Sequence, residues 1–201
     1  MINNSKDGAL PAGGSLLIYP PFADPTWPYV SLPTLKGYLG QRGLAVTVVD
    51  WNVEAFSYLT QAATSNEWRR QLSARFQLLN AQHSLTVEEQ MEYRRIAEAL
   101  PLFQDFAALA AVMRQEHSFY DRAAYGAARD GLEDLFQIME AVGFPFRFRC
   151  NRADHLMPPW DFNLLASYLR KRQSPLDHFY RLHLAQPAAP GFVALSLAFI
   201  S

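Results

Sequence analysis

The fold is decided by residues 15–50. Ser15-Leu16-Leu17-Ile18-Tyr19 is a short apolar run stopped by Pro20-Pro21, and Leu44-Ala45-Val46-Thr47-Val48-Val49-Asp50 is a second run rich in β-branched residues. Each has the form of a buried strand. Between them Leu32, Leu35, Tyr38 and Leu39 recur at helical spacing, with Ser31 placed to cap the helix and Gly43 to end it. A strand, a helix and a strand within ~35 residues form a βαβ unit, whose crossover is right-handed and whose strands are parallel.

Outward from this unit the pattern changes. Residues 1–14 are small and polar and read as a flexible tail, without the basic and apolar regions of a signal peptide. Residues 53–186 read as an all-helical insertion. Asn52 opens a helix to about Ala63 and Asn66 another to Asn80. Thr86 and Glu89 have the spacing of a capping box for a helix to Leu100. Pro101 restarts a helical run to Gln115, and Asp121 to Val142, closed by Gly143, is the longest. Phe144 to Arg149 alternates like a short strand or extended segment. Asp161 to Lys171 and Pro175 to Ala185 complete the set. Residues 187–201 hold a third strand in the nearly all-apolar run Phe192 to Ile200, patterned for burial on both faces. Such a strand needs neighbours and a covering helix. The expectation is therefore an α/β chain with a Rossmann-like parallel sheet, truncated after its third strand, and part of a longer polypeptide. The open side of that strand predicts self-association or aggregation unless the helical insertion shields it.

Composition excludes several functions. The chain has 201 residues, half of them hydrophobic and 18 % charged, which suffices for a substantial core. A net charge of −1 lacks the basic excess of a nucleic-acid footprint. A single cysteine, Cys150, excludes an internal disulfide framework and a Cys-rich zinc or iron–sulfur site held by this chain alone. No apolar run approaches the ~18–20 residues of a membrane span, so the expected setting is cytoplasmic. The histidines show no HExxH, and His178 and His183, five apart, do not share a helical face. No GxSxG elbow is present.

The best functional signal is the loop after the first strand. In open α/β sheets ligands bind at the carboxyl ends of the strands, where Pro20, Pro21, Phe22, Asp24, Pro25, Trp27 and Tyr29 fall. With four prolines between residues 20 and 29 and no glycine, the loop is stiff and aromatic. It suits a large flat ligand better than a phosphate, or it packs as a rigid structural loop. Asp50 ends the second strand, where a Rossmann fold holds its ribose-binding acid; the alternative is that Asp50 and Asn52 cap the next helix. Ser196 and Ser201 lie in and after the third strand, facing a ligand or satisfied by local backbone.

These residues carry a resemblance. Leu17 to Pro25, followed by Trp27-Pro28-Tyr29-Val30-Ser31-Leu32-Pro33-Thr34-Leu35, resembles the opening of the cobalamin-binding domain of radical S-adenosylmethionine proteins. The subgroup it is most similar to has a Cys-rich C-terminal tail. Asp50-Trp51-Asn52-Val53-Glu54 is similar to the end of that domain's second strand, and Phe192 to Ser201 to its third. The resemblance implies a cobalamin domain ahead of a radical S-adenosylmethionine barrel, which would carry the [4Fe-4S] cluster and S-adenosylmethionine, in an enzyme of methyltransferase type with an unspecified substrate. It implies corrin contacts from Pro21, Phe22, Asp24, Trp27, Ser196 and Ser201. The loop lacks the cobalt-ligating histidine of methionine-synthase-type domains, and the Cys-x3-Cys-x2-Cys motif is absent, so this chain alone is not expected to be catalytic. The alternative expectation is a degenerate domain that binds no corrin and recognises a substrate or partner through its helices.

Overall fold

A computed structural model describes residues 15–21, 30–149, 152–155, 161–171, 174–184 and 192–195. The chain is mixed α/β and mostly helical, with a small parallel sheet. It divides into two units, one formed by Met1–Ala55 with His178–Ser201 and the other by Phe56–Asp177.

In the first unit β1 (Ser15–Tyr19) is followed by α1 (Ser31–Gly40) and β2 (Val46–Asp50); after α9 (Asp177–Leu184) comes β5 (Phe192–Leu195). The strand order is β2-β1-β5. β1 pairs in parallel with both neighbours, Tyr19 opposite Asp50 and Ile18 opposite Leu195. Two paired neighbours explain why Leu16, Leu17, Ile18 and Tyr19 are all buried. β2 corrects the expectation of a second buried strand: every residue from Val46 to Asp50 is only half-buried, and among the described residues β2 pairs with β1 alone. Leu17, Tyr19 and Leu32 form a buried cluster on which Leu39, Val46 and Val48 pack. Ser31 is not the cap of α1. That position is Val30, which makes no side-chain cap bond, and Ser31 is the first helical residue. Gly43 has a φ of 75°, a conformation that a side chain disfavours, and turns the chain toward β2.

The second unit is built on α7 (Arg122–Val142), against which α3 (Ala62–Asn80), α4 (Val87–Ala99) and α5 (Phe106–Arg114) pack. Leu135, Phe136, Ile138 and Met139 of α7 are buried in its core with Leu79, Ile96 and Phe106. The helix starts follow side-chain chemistry. Asp121 Oδ1 accepts the backbone N–H of Ala123 and Ala124, Asp105 caps α5, and Thr86 and Glu89 form the expected capping box. The expected helix from Pro101 to Gln115 is instead a 3₁₀ turn, Leu100–Leu102, a break and then α5, since Asp105 restarts the helix. α3 begins at Ala62 rather than Asn66. α6 (Glu116–Phe119) is an added single turn.

The expectation of an all-helical insertion is also corrected. β3 (Phe146–Arg149) pairs antiparallel with β4 (Arg152–His155), and this hairpin follows α7 directly. Its approach demands a glycine, because a Cβ on Gly143 would lie 2.7 Å from the Phe148 ring and 3.0 Å from Pro175. α8 (Phe162–Lys171) follows. Between α1 and α3 runs α2 (Trp51–Leu59), shorter than expected and started by Asp50; Asn52 is not its cap but a fully buried residue inside it.

Candidate functional site

Parallel pairing brings Tyr19, Asp50 and Leu195, the last residues of β1, β2 and β5, to one edge of the sheet. Of the expected ligand contacts, Pro21 stands at that edge, half-buried, the second residue after β1. Phe22, Asp24, Trp27, Ser196 and Ser201 lie outside the described residues, as do Cys150 and the remainder of the proline-rich loop.

Asp50 resolves one of the open readings. Its Oδ1 accepts the backbone N–H of Asn52 at 3.0 Å and of Val53 at 3.1 Å, so it satisfies the first turn of α2. β2 passes into α2 without an intervening loop.

The described residues add a cluster at the start of α2 that the sequence did not single out. The Trp51 ring meets Phe179 edge-on at 6.3 Å and Tyr180 at 6.1 Å, and Phe179 is 4.2 Å from the imidazole of His183. His183 Nδ1 is 3.4 Å from Glu54 Oε2. The signal was available as two helical spacings: Trp51 with Glu54, three apart, and Phe179 with His183, four apart.

Burial pushes the Glu54 carboxyl above its ordinary range, with a further upward push from the Asp50 charge; burial pushes the His183 imidazole down. The two act oppositely on stability. The lowered His183 contributes fully above its ordinary pKa of 6.5, and that contribution is lost as the pH falls through its folded-state value. The raised Glu54 contributes fully below 4.5, and its contribution is lost as the pH rises through its folded-state value. Denaturant titrations of wild type and His183→Gln at pH 7.5 and 5.5 should therefore show a smaller stability gap between the two proteins at 5.5. An unchanged or wider gap would contradict the assignment.

In the helical unit a cavity of about 390 Å³ is walled by Gln71, Leu72 and Arg75 of α3, Glu92 and Ile96 of α4, and Ala141 and Val142 of α7. The Arg75 guanidinium donates to Glu92 through Nε at 3.1 Å and Nη2 at 2.8 Å. This two-pronged pairing raises the guanidinium pKa further. The cavity's charges are thus paired within its own wall. Among the described residues no three His, Cys, Asp or Glu side chains converge to hold a metal ion. No single helix among them is long and apolar enough to cross a membrane.

The chain is a mixed α/β protein in which one unit carries a small parallel sheet and the other, mostly helical, has its own core and cavity. No protein-family model matches the chain, and no curated protein and no solved structure matches it.

Proposed function

We propose that the sheet unit is a corrin-binding domain of cobalamin type, serving a radical S-adenosylmethionine enzyme of methyltransferase class. Its barrel, carried by the same parent polypeptide, would hold the [4Fe-4S] cluster and S-adenosylmethionine. The observation that supports this reading is the strand order β2-β1-β5, parallel throughout. In a dinucleotide-binding half of order 3-2-1 the third strand would lie beyond β2. Here it lies across β1, the 2-1-3 opening of a flavodoxin-like sheet, whose switch point is the crevice between β1 and the third strand.

The residue chemistry at this edge fits a broad apolar ligand. Pro20-Pro21 replaces a phosphate-binding glycine turn, and the Asp50 carboxylate is engaged in capping α2. On this reading Pro21, Phe22, Asp24, Trp27, Ser196 and Ser201 contact the corrin, and the stiff loop loses little entropy on binding. Corrin, when bound, supplies a cobalt centre able to carry a methyl group.

The test is retention of hydroxocobalamin by the parent polypeptide after gel filtration, read by its visible absorption. The expected result is stoichiometric retention, weakened at least ~10-fold by Trp27→Ala, about 1.4 kcal/mol. No retained corrin would favour a second reading, supported by the cavity of the helical unit: a corrin-free module whose helices recognise a substrate or partner. A Cys-x3-Cys-x2-Cys motif downstream in the parent gene separates the two independently.

A further inference from the structure

We infer that the β3–β4 hairpin carries a binding site for a phosphate group, free or borne by a small molecule, on the face that holds positions 147, 149 and 152. β3 reads Phe146-Arg147-Phe148-Arg149, a strict alternation of aromatic and basic residues. Successive strand positions lie on opposite faces, so the two phenylalanines share one face and the two arginines the other. The antiparallel register sets Arg152 directly across from Arg149 and Asp154 across from Arg147, and directly opposed positions belong to the same face. That face therefore holds three arginines and one aspartate, a local positive excess in a chain whose net charge is −1.

The aromatic face is the anchored one. Phe148 is buried, and its ring lies so near Gly143 that a Cβ there would come within 2.7 Å. The Phe146 N–H donates to the Gly143 carbonyl at 2.9 Å, and β3 packs on α7. The arginine face is thus carried on a fixed platform, and a ligand bound there has little backbone to order. Arg147 shows what that face lacks. The residue is half-buried and its Nε is shut off from solvent, yet among the described residues no group accepts a hydrogen bond from that nitrogen. An orphaned buried donor calls for an acceptor from outside the chain. The Nε–Nη2 edge of a guanidinium offers two parallel N–H donors, the fork that matches a phosphate. The Arg149–Arg152 pair points to the same ligand, because like charges directly across a ladder repel and an anion bound at those positions offsets the repulsion. Charge and oxygen count select among anions. A phosphate group brings about two negative charges and three acceptor oxygens, enough for more than one guanidinium, whereas a carboxylate brings one charge and two oxygens. Two strands of four residues fit a single phosphate group better than the repeated phosphates of a nucleic acid, whose footprint is a longer basic stripe.

The test is calorimetric titration of the full chain with inorganic phosphate and with phenyl phosphate, at pH 7.5 and constant ionic strength. Both should bind at one site. Sulfate, tetrahedral and doubly charged, should compete, and chloride should not. Arg147→Lys keeps the charge but loses the fork, and should weaken binding at least ~10-fold. Arg149→Gln and Arg152→Gln should do the same, with circular dichroism showing each variant folded; if Arg147→Lys does not fold, these two decide alone. Arg129→Gln, which removes an exposed α7 cation beside Asp130, should leave the affinity unchanged. Tighter binding of phenyl phosphate than of inorganic phosphate would assign the site to a phosphorylated small molecule, and equal binding to the free anion. The inference would be overturned by the absence of saturable phosphate binding, by binding that Arg149→Gln and Arg152→Gln leave intact, or by chloride competing as well as sulfate. Single-stranded DNA that binds more tightly than phenyl phosphate, with an affinity rising with its length, would also overturn it and mark a nucleic-acid surface instead.

Discussion

Replacing Arg95 by methionine is expected to destabilise the helical unit by about 3 kcal/mol, near the lower end of the ~3–5 kcal/mol found when one partner of a buried ion pair is removed. Arg95 of α4 donates through Nη1 to Glu140 Oε2 of α7, and the Glu140 side chain is only 7 % exposed. Losing the guanidinium strands a carboxylate that water barely reaches, whereas methionine preserves most of the apolar stem. Because the cost lies in the unpaired charge, the double variant Arg95→Met/Glu140→Met should recover most of the lost stability. Removing both ions ends the desolvation penalty and adds apolar contact. Denaturant midpoints for the two single variants and the double variant complete the cycle. A double variant no more stable than Arg95→Met would show that the pair contributes packing geometry rather than compensated charge.

Phe106→Ala should cost about 3–5 kcal/mol, the range for deleting a fully buried phenyl ring. Phe106 is 1 % exposed and is the first residue of α5, directly after the Asp105 cap, so its ring is held where the chain re-enters the core. α5 packs on the 21-residue α7, and an interior packed this closely relaxes little into a void. Phe106→Leu, which leaves a smaller void, should cost markedly less. The measurement is again the denaturant midpoint. An alanine cost under ~1 kcal/mol would mean that α5 collapses onto α7 and that the helical unit is less tightly packed than its burial implies.

Polar links also join α4 to its neighbours. Arg75–Glu92 joins α3 to α4 and Arg95–Glu140 joins α4 to α7. The helices that wall the cavity are thus tied in sequence by two polar links whose geometry specifies which faces meet. Pairing of this kind discriminates among helix registers even where it adds little net stability.

Much of this architecture was legible in local sequence. β1, α1 and β2 followed from apolar runs broken by Pro20-Pro21 and Gly43, and the Thr86–Glu89 capping box marked the start of α4, because propensity, capping and turn chemistry act over a few residues. Parallel pairing of β1 with β2 followed from the crossover between them. What local sequence could not supply was exposure. Val46 to Asp50 is as apolar as a central strand, yet it is half-buried and among the described residues has one neighbour, since burial depends on whether a second strand arrives on its far side. Nor could it supply meetings between distant residues. Glu54 and His183 are separated by the entire helical unit, and Arg95 and Glu140 by forty-five positions. The pattern of each helix says which face is apolar, but not which charged residue on another helix will lie opposite. The β3–β4 hairpin was half legible: Phe146 to Arg149 alternates as a strand should, whereas Arg152 to His155 is polar and joins it through backbone pairing. Sequence alone thus determined the elements and the βαβ order, through forces that act along the chain. Tertiary structure alone decided how far β2 is buried, the Trp51–Phe179–His183 cluster and the buried ion pairs, because each requires segments far apart in sequence to exclude water from the same volume.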